Sequence, residues 1–172
     1  MMQIRAEQPE DYGDIQYLLD AAFDSPDESA LVQRLRDDGQ IITALVAVEY
    51  GEIVGHIVFS ALEIASNDGK TIIMGAALAP MAVAPTHQRL GIGSELVRQG
   101  LEICEQNGIE AIVVVGHKEY YPRFGFSAQK AECLKSAFSG PFCMALPLKQ
   151  GVFDDFVGTL IYPHAFDSLS EQ

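Results

Sequence analysis

The chain has 172 residues, 48% hydrophobic and 20% charged, with a formal net charge of −13. This suits one globular domain over residues 1–172 and excludes a disordered chain; the acidic balance argues against nucleic acid and fits a cationic substrate such as an amine. No apolar run approaches the roughly eighteen residues of a membrane span, and MMQIRAEQPEDYGD turns acidic too soon for a signal peptide, so no membrane partner and a cytoplasmic location are expected.

MQIRAEQPED begins with a short strand and runs into a turn. In DIQYLLDAAF, Ile15, Leu18, Leu19, Ala22 and Phe23 recur at helical spacing. A second helix follows in SPDESALVQRLRDDG, with Ser25 as N-cap, Pro26 at the first helical position and Glu28 completing a capping box. Leu31, Val32 and Leu35 form its buried face, and Gly39 ends it. ITALVAVEYGEIVGHIVFSALEI reads as two antiparallel strands joined at EYGE. SNDGK is the next turn, leading to a third run, TIIMGAALAPMAV, where Pro80 predicts a bulge or an interrupted ladder. Met74, Met81 and Met144 read as core filler. Cys104, Cys133 and Cys143 have no CxxC spacing, so buried free thiols are expected rather than disulfides or a metal site.

The segment APTHQRLGIGSEL stands where loop gives way to helix. From there Ile92, Leu96, Val97, Gly100, Leu101 and Cys104 line one helical face, and Asn107-Gly108 closes the helix. IEAIVVVG then has the continuous apolar character of a strand buried on both faces. YYPRFGF, PFCMALPLK and the C-terminal tail read as a short helix, a turn and further strand. Strand, glycine loop and helix start together make an anion site. First-turn N–H groups have no intrahelical partner, and glycine leaves them open to a phosphate oxygen. Gln88, Arg89, Gly91, Gly93 and Ser94 can ring a pyrophosphate. No lysine with serine or threonine follows the glycines, so this is not a P-loop, and GIGSEL lacks the third glycine of a dinucleotide fingerprint.

MAVAPTHQRLGIGSEL resembles the acyl-coenzyme A signature of the GNAT superfamily of N-acetyltransferases, Q/R-x-x-G-x-G/A. Here it is Gln88-Arg89-Leu90-Gly91-Ile92-Gly93. YYPRFGF, with Tyr121 four residues before Gly125, is similar to the family's second element. MALPLKQGVF and YPHAF resemble its YhbS-like branch. The resemblance implies an α/β (α+β) fold. Its central sheet is mixed and mostly antiparallel, its fourth and fifth strands are splayed, and helices cover both faces. It implies acetyl-CoA as co-substrate, no metal, and transfer of the acetyl group to a primary amine by direct attack. The alternative is a non-catalytic acyl-CoA sensor or interaction module. By the same resemblance the Met81 N–H serves the thioester carbonyl and the Val83 N–H the pantetheine arm.

Tyr121 is the implied general acid, since a phenol can donate a proton to a leaving thiolate. The position seven residues before it, often asparagine in the family, is Val114. The general base is open: GAALAPMAV carries no carboxylate, His56 reads more readily as a core histidine, and Asp24 and Glu28 border the expected acceptor side. The sequence separates neither a small-molecule from a peptide or protein acceptor, nor a monomer from a homodimer.

Overall fold

A computed structural model describes residues 1–170. It has two compact units, one made of Met1–Phe59 and Ala79–Ile103, the other of Ser60–Leu78 and the chain from Cys104 onward. The elements are those of a mixed, mostly antiparallel sheet with helices.

In the first unit, β1 (Met2–Ala6) leads to α1 (Tyr12–Phe23) and α2 (Asp27–Asp37). Next come β2 (Ile41–Glu49), the first part of β3 (Glu52–Ser66), the end of β4 (Ile72–Val83) and most of α3 (Ile92–Gln106). Neighbouring strands run β1-β2-β3-β4. β1 and β2 are antiparallel, Met2 opposite Glu49 and Ala6 opposite Leu45. The two-residue link Tyr50-Gly51 has positive φ at both positions (51° and 78°), the backbone that closes a twisted hairpin.

Helical spacing identified the buried faces correctly for Ile15, Leu18 and Leu19, for Leu31, Val32 and Leu35, and for Ile92, Leu96, Val97 and Cys104. Ala22 and Phe23 are exposed instead, because the last turn of α1 lifts towards solvent before Asp24 turns left-handed at φ 50°. The capping box predicted at Ser25 and Glu28 does not form. Pro26 is the N-cap, and Ser25 Oγ accepts from the Asp27 N–H at 3.1 Å, a tight turn that delays the helix by one residue. A capping box forms upstream, between Gln8 and Asp11, where the Gln8 N–H donates to Asp11 Oδ2 at 2.8 Å.

Two glycines let α3 approach β3 closely. A Cβ on Gly55 would lie 3.1 Å from Leu96 and 3.2 Å from Ile92. One on Gly100 would stand 2.1 Å from the Phe59 ring, well inside contact distance. Phe59 is fully buried and has no free direction to yield. Gly100→Ala therefore lowers stability despite alanine's helix preference. The expected loss is about 1–3 kcal/mol, reported by the urea midpoint.

A polar network lies under α2. His56 is fully buried, and its Nε2 sits 2.8 Å from Glu7 Oε1. Arg36 donates to both Glu7 oxygens, through Nε at 2.8 Å and Nη2 at 3.1 Å, and its guanidinium stacks 3.7 Å from the Tyr12 ring centroid. Burial by itself would raise the Glu7 carboxyl. Hydrogen bonds from His56 and Arg36 outweigh it and hold that carboxyl below the ordinary range.

In the second unit the rest of β3 and β4 join β5 (Ala111–Val115), α4 (Ala128–Ala131), β6 (Leu134–Lys135), β7 (Cys143–Pro147), β8 (Gly158–Ile161) and α5 (Asp167–Ser170). β4 and β5 are parallel, over three pairs from Gly75 opposite Ala111 to Ala77 opposite Val113. β7 is antiparallel to β5, β8 is antiparallel to β3, and the two-residue β6 is parallel to β8.

Met144 is buried as expected, but Met74 is 60% exposed and is not core filler, since its side chain leaves the sheet on the solvated face. Cys104 and Cys143 are buried free thiols, whereas Cys133 is only half-buried, at the C-terminal side of the one-turn α4.

Candidate active site

Pro80 marks a change in β4. Met74 turns its backbone towards β5: its C=O accepts from the Glu110 N–H at 2.8 Å and its N–H donates to Glu110 Oε2. Ala84, an even number of residues later, turns instead to β3, its N–H donating to the Val54 C=O at 2.8 Å. Strict alternation would put both on one side. One residue therefore breaks the alternation, and the β5 register is regular through Ala77, so the break lies beyond it, in the stretch containing Pro80. This is the interruption expected from a residue without an N–H. Burial alternates from Pro80 to Val83, so the alternation holds over that stretch and, with Ala84 turned to β3, the N–H groups of Val83 and Met81 point away from β3. Both residues are half-buried.

Past Val83 the chain makes a short 3-10 turn, Pro85–His87, and the Gln88 amide ties back to the Val83 C=O at 3.1 Å. Arg89 (φ 66°) and Gly91 (φ 84°) are both left-handed. Such backbone turns successive N–H groups into a concavity suited to an anion. Nothing lies within 4 Å of where a Gly91 Cβ would be. Close packing therefore does not explain this glycine, and its backbone conformation does. Arg89, Leu90 and Gly91 are exposed. The helical bonds of α3 start with the Glu95 N–H to the Gly91 C=O at 3.0 Å, so the amides of Ile92 and Gly93 precede the ladder. The helix dipole adds positive potential at that end.

Tyr121 lies in the second unit, opening the 3-10 turn Tyr121–Phe124, which the left-handed Gly125 (φ 99°) ends. Its ring is buried edge-on against Tyr120 and Phe126, at centroid distances of 5.1 and 5.7 Å. Gly116 makes room for it: a Cβ there would come within 2.6 Å of Tyr121 Cε2. Burial, with a smaller contribution from Tyr120, pushes the phenol up to about 12. It stays protonated at any ordinary pH. Burial likewise pushes the Cys104 thiol up to about 12, which removes it as a thiolate nucleophile.

Of the candidate bases, His56 is the core histidine its apolar strand suggested, bonded to Glu7. Glu28 is half-buried, with Oε2 enclosed and lacking a hydrogen-bond partner among the described residues. One pair escaped the sequence reading: His87 and Glu49, 38 residues apart, with Nε2 and Oε2 separated by 2.6 Å. The adjacency of His87 to the signature was the available signal.

Comparison with known proteins decides the family. Residues 3–128 match the acetyltransferase (GNAT) domain family. The chain belongs to the GNAT acetyltransferases. It is 33% identical over 140 residues to the N-acetyltransferase YhbS of Escherichia coli K12, covering 81% of each chain. The crystal structure of E. coli YhbS in complex with CoA superposes with a TM-score of 0.87 at 28% identity, over 96% of this chain and 92% of that one. A GNAT acetyltransferase from Brucella melitensis in complex with acetyl-CoA gives 0.79 at 30% identity, over 97% and 99%. No helix among the described residues of this GNAT chain is long and apolar enough to cross a membrane.

Proposed function

We propose that the chain, as one acetyltransferase domain, moves an acetyl group from acetyl-CoA to a primary amine by direct attack. The observation that carries this reading is the exposed, left-handed segment at Arg89 and Gly91, with open space at Gly91, ahead of the fifteen-residue α3. The relatives bound to CoA and acetyl-CoA support the choice of co-substrate.

Gln88, Arg89, Leu90, Gly91, Ile92, Gly93 and Ser94 hold the diphosphate. The Val83 N–H takes the pantetheine arm. The Met81 N–H donates to the thioester oxygen, where negative charge develops as the amine adds; one such donor contributes about 3–4 kcal/mol to a barrier. Both N–H groups turn away from β3, which supports their use for a ligand. Amine and thioester held together need no covalent enzyme intermediate, and the inert Cys104 thiol agrees with that.

Tyr121 donates to the leaving sulfur. Burial holds its phenol above the ordinary value, so it is protonated and available as a donor to the departing sulfur. Tyr121→Phe is expected to lower kcat about 10²-fold or more, with CoA affinity unchanged. Because Tyr121 stays protonated, its loss leaves the alkaline side of the pH–rate profile unchanged between pH 7 and 10. An unaltered rate removes Tyr121 from the mechanism.

Thiol release from acetyl-CoA across a panel of small amines, polyamines and lysine peptides tests the activity itself. Amine-dependent release is the expected result, and the charge of −13 is compatible with a cationic acceptor. The missing carboxylate in β4 favours the second reading, a non-catalytic acyl-CoA sensor. Tight acetyl-CoA binding without release for any amine would select it.

A further inference from the structure

We propose that His87, held by Glu49, is the positioning residue of the diphosphate loop; this rests on the anion-loop reading above. His87 closes the turn Pro85–His87, directly before Gln88. Its imidazole uses both nitrogens: Nε2 faces Glu49 Oε2 at 2.6 Å and Nδ1 faces Thr86 Oγ1 at 2.8 Å. Nε2–H donates to the Glu49 carboxylate, and Nδ1 shares the ring's second hydrogen bond with the Thr86 hydroxyl, so both ring nitrogens are held.

Glu49 is the last residue of β2, beside the Tyr50-Gly51 turn. The His87 side chain therefore ties the start of the loop to the β2–β3 hairpin. Among the described residues, this segment is also tied by the Ala84 N–H to Val54, the His87 N–H to the Ala84 C=O and the Gln88 amide to the Val83 C=O. Of these, Ala84 reaches another strand, but it lies four residues ahead of the signature's first position, Gln88. Beyond Gln88, Arg89 and Gly91 hold left-handed backbone on an exposed surface.

A loop of this kind binds an anion well only if its N–H groups are already aimed, because ordering it on binding subtracts from affinity. A short, charge-assisted bond from its root to the hairpin supplies that order. His87 thus acts on the diphosphate half of the coenzyme and has no reason to act on the pantetheine half.

The test separates those halves. For His87→Ala, calorimetry is expected to show the Kd of CoA rising roughly tenfold. Adenosine 3′-phosphate 5′-diphosphate weakens by the same factor, and pantetheine does not change. His87→Gln, whose amide can still donate to Glu49, stays within about threefold of the parent. The proposal is overturned if His87→Ala binds CoA like the parent, if pantetheine weakens equally, or if His87→Gln is as poor as His87→Ala. Failure of the parent chain to bind CoA would instead remove the anion-loop reading.

Discussion

Gly91→Glu abolishes measurable CoA binding in calorimetry. Two effects add. Gly91 sits at φ 84°, and a residue with a Cβ is strained there by roughly 1–2 kcal/mol. The carboxylate then stands at the proposed diphosphate site; two like charges about 4 Å apart near a protein surface repel by about 4 kcal/mol. Together these weaken binding by more than about a thousandfold. Gly91→Ala isolates the first effect. Its Cβ meets nothing within 4 Å, so only the backbone cost remains, worth roughly a five- to thirtyfold loss. Unchanged affinity in Gly91→Glu would refute the assignment of the loop.

The largest stability loss is expected at Glu7. Glu7→Ala leaves Arg36 and His56 facing a gap, and their side chains are only 11% and 0% exposed. Removing one member of a buried ionic network costs about 3–5 kcal/mol, read as a lower urea midpoint with an unchanged slope. The pH dependence has a definite sign. The folded Glu7 carboxyl lies below its ordinary value, so its contribution is complete above that value and is lost as pH falls through the folded one. Glu7→Gln should accordingly flatten the acid limb of the stability profile. A loss under about 1 kcal/mol for Glu7→Ala would show that the network contributes no more than an exposed pair.

How much was legible follows the range of the interactions. The face of α3 could be read because a fifteen-residue helix repeats its pattern over several turns, and Leu101 alone of the assigned face is half-exposed. The start of α2 was misread because Ser25, Pro26 and Glu28 satisfy a local pattern that the backbone meets differently, with Ser25 serving Asp27 instead of a longer cap. Pro80 was legible as an interruption, since lacking an N–H is a property of the residue itself. The pairs Glu7–His56 and Glu49–His87 join residues 49 and 38 positions apart, and no periodicity links them. Likewise β6 and β8 have two and four residues, too few to carry a pattern; tertiary pairing makes them strands. Of the candidate site, the signature motif stands out locally in Gln88 to Gly93, whereas the burial of Tyr121 depends on the ring contacts around Gly116 and Phe126.

The central claim is that main-chain amides at the root of α3 receive a diphosphate. Backbone amide resonances recorded during titration with CoA test it directly. The expected result is saturable shifts at Gly91, Ile92 and Gly93, reproduced by adenosine 3′-phosphate 5′-diphosphate and absent with pantetheine alone. Amides of that loop that stay fixed while CoA binds elsewhere on the chain would contradict it.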